Sequence, residues 1–274
     1  MSTGAPIFLF SVDVEEFDVD PPGRAFRRTP LPELLNTYSR WLGDQKATFF
    51  VVGDMARQFP EAIRALHDDG HELACHTDSH RRLDEMTPEA LREDLARNRD
   101  AILAAAPSAV ITGFRAPVLS MTPSTAWAYD ALNALGFEYS SSVLAAKNPL
   151  YGWPGFGSAP RRFGSVIELP LTMGRFGPME VPFAAGTYFR CLPTAWLRRQ
   201  FRACAKTGRP VLGYFHPYDI DAAQERVMNR GVRRNPIMNL LLYVNRHRTL
   251  ARLNLTREEH FRILPYCDFL KDAP

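Results

Sequence analysis

The sequence predicts an α/β protein whose strands are mostly parallel. Strand-length apolar runs alternate with helix-length amphipathic stretches along most of the chain, and several of these runs deliver a charged or imidazole side chain at their C-terminal end. At 274 residues a large core can be buried. One main domain is expected over residues 1–225, with an accessory segment over 226–274 packed on it. Hydrophobic residues at 46% and charged residues at 23% exclude a disordered or fibrous chain, and a net charge of +3 is too small to name a partner.

The first strand is the run from Pro6 to Val14, where Asp13, Glu15 and Glu16 end an otherwise apolar sequence. Side chains alternate across a strand, so Asp13 and Glu15 point one way while Val14 and Glu16 point the other. A loop with Pro21-Pro22-Gly23 leads to an amphipathic helix from Leu31 to Leu42, and Ala47 to Gly53 is the next strand. A helix from about Met55 to His67 is expected to stop at Asp68-Asp69-Gly70, after which a short strand runs into His76 and His80. His67 and His71 flank that stop signal and are expected at a surface turn. Thr87-Pro88-Glu89 starts a helix that reaches about Ala105: the threonine caps, proline suits the first turn and the acid faces the positive helix end. Ala109 to Phe114 reads as a strand ending in Arg115-Ala116-Pro117, and Thr122-Pro123-Ser124 caps a helix to about Leu135. Another strand begins at Phe137. Lys147 to Gly164, rich in Gly, Pro and aromatics, reads as a long ordered loop. Strands follow near 166–171 and 179–182, then a helix from Thr194 to about Lys206. A strand from Pro210 to Phe215 delivers His216.

His76 and His80 stand four apart, and in a helical turn that spacing places both imidazoles on one face, within reach of one metal ion. Zinc takes a third protein ligand, commonly a carboxylate, and a catalytic site keeps a position for water. The acidic strand end is the best source: of Asp13 and Glu15, one can bind metal and the other act as base. Sites in such folds gather at the C-terminal ends of strands, where Asp13, His76, Arg115 and His216 all fall. Cys75 points away from His76 along the strand and is expected as a buried thiol. Four cysteines without a CxxC pair fit a reducing compartment. With no signal peptide and no run of eighteen apolar residues, a cytoplasmic location is expected.

These strand ends resemble the motifs of the polysaccharide deacetylases, the NodB-homology group of carbohydrate esterase family 4, over Phe8 to about Asp221. The motifs stand here as Ser11-Val12-Asp13-Val14-Glu15, His76-Thr77-Asp78-Ser79-His80, Arg115-Ala116-Pro117, Glu168-Leu169-Pro170 and Tyr214-Phe215-His216-Pro217. Gly186-Thr187-Tyr188-Phe189-Arg190 and His216-Pro217-Tyr218-Asp219-Ile220-Asp221 are similar to a bacterial subgroup tied to exopolysaccharide and envelope-glycan synthesis. The resemblance implies a distorted (β/α) barrel with a divalent metal at its mouth, Zn2+ first, with Co2+ or Ni2+ as alternatives. It implies Glu15, His76 and His80 as metal ligands. Because the family's Asp-Asp pair is replaced by Asp13-Val14-Glu15, Asp13 or Asp78 is the alternative to Glu15. Asp13 would be the base, Arg115 its partner and His216 the acid, oriented by Asp219. An oxyanion would meet a backbone N–H near Ala116 to Val118, where Val118 replaces the family's tyrosine. Substrate contacts are expected at Pro117, Val118, Tyr151, Trp153 and Tyr218.

The implied reaction removes the N-acetyl group of an amino sugar in a cell-envelope polysaccharide or its lipid- or nucleotide-linked precursor. A related amide hydrolase or deformylase, and a carbohydrate-binding protein without catalysis, are the competing readings. Tyr151, Trp153 and Phe156 would suit the apolar faces of sugars, or would pack the loop onto its own barrel. In the tail, Arg226, Arg230, Arg233, Arg234, Arg246, Arg248 and Arg252 surround the apolar run Ile237 to Val244 with no acid among them. Such a segment can be a helix with solvated arginines, or can meet a phosphate on a lipid-linked sugar or an anionic membrane surface. Nucleic acid is not expected, because a basic tail without a recognition motif on a nearly balanced chain is a poor match.

Overall fold

The structure is a computed structural model that describes residues 4–148, 151–232 and 234–271. Its first strand is interrupted at Phe10 and therefore serves two sheets. Ile7–Leu9 is the middle of a three-stranded parallel sheet, between Val211–Leu212 and Arg262–Ile263. Ser11–Val14 begins a seven-stranded sheet that continues through Thr48–Val51, Glu72–Cys75, Gly113–Phe114, Tyr139–Ser140 and Val166–Glu168, all parallel, and ends in antiparallel Arg161–Phe163. A single bridge from Val12 to Phe215 carries the Val211 strand alongside both halves of the first strand. At the far margin no ladder is present among the described residues, and a side chain bridges instead: Thr172 Oγ1 accepts from the Leu212 N–H at 2.9 Å. The result is the expected distorted α/β barrel.

Local chemistry explains the elements. The helix Leu31–Leu42 begins on a proline turn, ends at Gly43 with φ 60°, and buries Leu31, Leu34, Leu35, Tyr38 and Leu42 on one stripe. Each such burial is worth at most about 1.5–3 kcal/mol. Phe10 sits inside an aromatic cluster, 5.2 Å from Phe215, 5.7 Å from Tyr38 and 5.3 Å from Trp41 between ring centroids. The Thr87 cap is present, its Oγ1 accepting from the Ala90 N–H at 3.2 Å.

Several expectations are corrected. The helix expected over Met55 to His67 is two, Gly53–Gln58 and Pro60–Asp68, because Pro60 cannot continue the ladder and Phe59 before it takes φ −130°. The stretch after Thr122 is a 3₁₀ turn, Pro123–Thr125, closed by a Thr122/Thr125 box before the helix Ala128–Ala134. The loop expected to run to Gly164 ends in the strand Arg161–Phe163, and its residues 149 and 150 lie outside the described residues. His71 is not at a surface turn: it is 3% exposed.

The described residues after Arg226 form the helices Pro236–Leu241 and Thr249–Glu258 and also contribute strands. Met228–Asn229 pairs antiparallel with Val19–Asp20, and Arg262–Ile263 lies in register with Ile7–Phe8. Arg233 of that segment lies outside the described residues. Among the described residues no helix is long and apolar enough to cross a membrane.

Candidate active site

The two histidines come together for a reason other than helical spacing. Residues 76–80 form an irregular loop, and Thr77 and His80 take φ 63° and 57°, a conformation costly for a β-branched residue. The helix Pro88–Ala105 holds the loop in place. Asn98 Nδ2 donates to the Thr77 carbonyl at 2.7 Å, and Asp94 Oδ1 accepts from the Asp78 N–H at 2.7 Å. Gly53 closes the other side, where a Cβ would lie 2.1 Å from Asp78 Oδ1. The same contacts turn Asp78 outward, its Oδ1 2.8 Å from Arg57 Nη2, which removes it as a ligand at this site.

Strand alternation brings Asp13 and Glu15 to the same point. His76 Nε2 lies 3.3 Å from Asp13 Oδ2 and 3.5 Å from Glu15 Oε2, and His80 Nε2 pairs with Glu15 Oε2. One ligand atom from each of Glu15, His76 and His80 falls within 4.8 Å of the others. His76 Nδ1 lies 2.8 Å from the Arg115 carbonyl, which can only accept, so that nitrogen carries the proton and Nε2 presents a lone pair to the cluster. His76 Nε2 and Asp13 Oδ2 are buried without a hydrogen-bond partner, electron-rich atoms facing one another. A divalent cation fits this donor set. Burial alone would raise the pKa of Glu15, but the charges of His80 and His216 and contacts from His76 and His80 hold it well below the usual range. Burial likewise opposes the charge on His80, and Glu15 outweighs it.

Asp13 is aimed by a buried arginine. Arg115 Nη1 donates to Asp13 Oδ1 at 2.8 Å and to Ser11 Oγ at 2.7 Å, Nε donates to the Ser141 carbonyl, and Nη2 donates to Ser141 Oγ and Tyr266 Oη. The guanidinium also lies 4.0 Å from the Phe50 ring centroid. Glu168, the fourth motif, braces the serine strand end rather than the cleft: its Oε1 accepts from the Ser142 and Val143 N–H groups at 2.8 and 2.9 Å.

Opposite stands His216. Its Nδ1 donates to Asp219 Oδ2 at 3.2 Å, its Nε2 lies 3.1 Å from Tyr214 Oη and 3.7 Å from Glu15 Oε1, and its ring stacks on Tyr218 at 4.6 Å. Asp219 is gripped from behind by Arg190, whose Nη2 and Nε reach Oδ1 at 2.8 and 3.1 Å, both partners being buried. Burial would raise the pKa of Asp219, yet Arg190 and His216 more than offset it and leave it at about 2. A Cβ at Gly186 would lie 2.1 Å from Asp219 Oδ2, so glycine is required there. Burial opposes charge on His216, but Asp219 and Glu15 raise its pKa above the ordinary value.

Of the expected substrate contacts, Val118 and Tyr151 line a cleft of about 510 Å³ beside His80, together with Arg82 and Arg230. Val118 takes φ 55°. Pro117 is buried, Tyr218 Oη donates to Glu15 Oε1 at 3.0 Å, and Trp153 packs 5.0 Å from Phe156 against the core. Arg190, Ser11, Tyr214 and Tyr266 were absent from the residues expected at the site. Ser11, Tyr214 and Arg190 stand inside quoted motifs, at Ser11-Val12-Asp13-Val14-Glu15, Tyr214-Phe215-His216-Pro217 and Gly186-Thr187-Tyr188-Phe189-Arg190, whereas Tyr266 has no local signal.

A parallel α/β barrel whose first strand carries the acids, whose third-strand loop carries two histidines and whose closing strand carries a further histidine defines the class of NodB-type barrels. Residues 31–140 match the polysaccharide deacetylase family model, and residues 141–266 match a domain of unknown function. A chitooligosaccharide deacetylase of a Bradyrhizobium species is 38% identical over 71 residues, 26% of this chain and 32% of that protein. One from Sinorhizobium fredii is 32% identical over 117 residues, 42% of this chain and 48% of its own length. The chain thus spans a third to a half of these curated relatives. A Mycobacterium smegmatis structure assigned as a polysaccharide deacetylase superposes with a TM-score of 0.54 at 19% identity, covering 88% of this chain and 75% of that one. Residues 31–140 are thus similar to the polysaccharide deacetylases, and the likeness of fold to a solved structure extends over most of the chain. The matched boundary at residue 140 divides the site: His76, His80 and Arg115 fall before it, and Glu168, Arg190, His216 and Tyr266 after it.

Proposed function

We propose that the protein is a metal-dependent N-deacetylase that hydrolyses the acetamide of an amino sugar in a cell-envelope polysaccharide or its lipid- or nucleotide-linked precursor. The observation that supports it best is the meeting of three metal-ligand atoms with a paired carboxylate and a braced histidine at one site. Glu15, His76 and His80 would hold the ion, Zn2+ first, with Co2+ or Ni2+ also suited to a carboxylate and two imidazoles. When bound, such an ion supplies Lewis acidity to the attacking water and the acetamide carbonyl.

The chain's own groups handle the protons. Asp13, held by Arg115, presents Oδ2 to the cluster and takes the proton of the attacking water. His216, held through Nδ1 by Asp219, presents Nε2 and protonates the departing amine, which is too basic to leave as an anion. The Ala116 N–H already donates to Ser142 Oγ and Pro117 has none, so in this stretch the Val118 N–H is the oxyanion donor, aimed by its left-handed backbone.

The test measures metal by elemental analysis and acetate released from N-acetylated glucosamine oligomers, on the full chain and on His76→Ala and His80→Ala. About one divalent ion per chain, lost in both variants together with acetate release, is the expected result. A protein that takes up no divalent ion and still binds the oligomers would be a carbohydrate-binding protein. Metal with no acetate release would direct the search to other amides.

A further inference from the structure

The helix Pro236–Leu241 is turned inside out. A surface helix normally buries its apolar stripe, yet Ile237, Leu240 and Leu241, at spacing i, i+3 and i+4, are 71%, 51% and 39% exposed. Its polar Asn239 faces inward instead, Nδ2 donating to the Val227 carbonyl at 3.0 Å and Oδ1 accepting from the Asn229 N–H at 2.8 Å. Three of the six large exposed hydrophobic side chains among the described residues sit on this one helix. A fourth, Tyr188, stands on the helix Gly186–Cys191, whose Cys191 Sγ lies 4.0 Å from the Leu241 carbonyl.

The segment's own charge has one sign. No acid occurs between Arg226 and Arg257, and the exposed Arg226, Arg230, Arg234 and Arg248 bracket the helix in sequence. Arg230 and Arg234 also meet Asp18 and Asp20 in exposed ion pairs, whereas Arg226 and Arg248 have no acidic partner among the described residues. A solvated aliphatic stripe bracketed by guanidinium groups complements the phosphates and acyl boundary of an anionic bilayer. The same segment reaches the cleft, because Arg230 and Gly231 line it beside His80.

We propose that the Pro236–Leu241 helix and its flanking arginines dock the protein on an anionic phospholipid surface, with the mouth of the cleft toward the headgroups. The inference stands on exposure and charge and does not rest on the deacetylase reading. The test is cosedimentation of the full chain with vesicles of phosphatidylcholine alone or mixed with phosphatidylglycerol. Binding only to the mixed vesicles is expected, weakened by salt and lowered about tenfold or more in an Ile237→Ser/Leu240→Ser variant whose unfolding midpoint is unchanged. No binding, equal binding to neutral vesicles, or equal binding by the variant would overturn the proposal. So would a dimer in sedimentation velocity that the variant splits, since a second copy would then cover the stripe.

Discussion

The two walls of the site are finished to different degrees. On the wall of Asp13, Glu15, His76 and His80, buried lone pairs face each other, with His76 Nε2 and Asp13 Oδ2 lacking a hydrogen-bond partner. On the wall of His216, every step of the relay to Asp219 and Arg190 is hydrogen bonded within the protein. Unpaired buried polar atoms are costly, so a cation would stabilise the first wall, whereas the second is hydrogen bonded by the chain alone.

Chemistry breaks the comparison most sharply. Asp13→Asn and His216→Ala should each lower acetate release by a factor of about 10²–10⁴, but only damage to the first wall should disturb metal binding. Full metal content in His216→Ala, read by elemental analysis, separates the walls; turnover retained in either variant removes the proposed proton transfers. The next effect is on folding. Arg190→Met leaves buried Asp219 with only His216 to compensate it and should cost about 3–5 kcal/mol in urea unfolding, part of which an Arg190→Met/Asp219→Leu double variant should return. A cost below about 1 kcal/mol would show that the second wall does not depend on its arginine.

Metal addition tests the first wall in the opposite direction. Zinc at about a hundredfold over its dissociation constant should raise stability by about 2.7 kcal/mol, visible as a higher melting temperature, and should do nothing for His80→Ala. A comparable effect lies outside both walls. Burial, helped by Lys46, lowers the pKa of His71 to about 4, and its Nδ1 accepts from the Ala47 N–H at 3.3 Å. Because the folded value is below the ordinary 6.5, stability is unaffected by His71 above about pH 6.5 and is lost as the pH falls toward about 4, on the order of 3 kcal/mol in all. Urea titrations at several pH values should show that loss in the parent and not in His71→Gln.

Much of the fold was legible because it follows from short-range rules. The helix Leu31–Leu42 follows from its apolar stripe, the Thr87 cap from its hydroxyl, and the shared direction of Asp13 and Glu15 from strand alternation. The helix break at Phe59 was also written in Pro60, yet the apolar periodicity on both sides concealed it. Long-range partners were another matter. Tyr266 lies 151 residues from Arg115, and nothing local to a tyrosine reports that separation. Arg190 looks like any arginine at a helix end until the fold buries it on Asp219. His76 and His80 were paired by a helical argument although an irregular loop joins them, because four residues of either conformation can bring two rings together.

The strand Arg262–Ile263 beside Ile7–Leu9, and the Tyr266 hydroxyl on Arg115, tie late residues to early ones. A ribosome will already have emitted both loop histidines and His216 while the last partner of Arg115 is still to be made. At ordinary elongation rates the interval from residue 216 to residue 266 is about three to ten seconds. During that time the nascent chain owns the side chains proposed to move protons without the finished setting that aims Asp13. Competence should therefore arrive late in synthesis and in one step, and a truncated product ending before Tyr266 should be released lacking it.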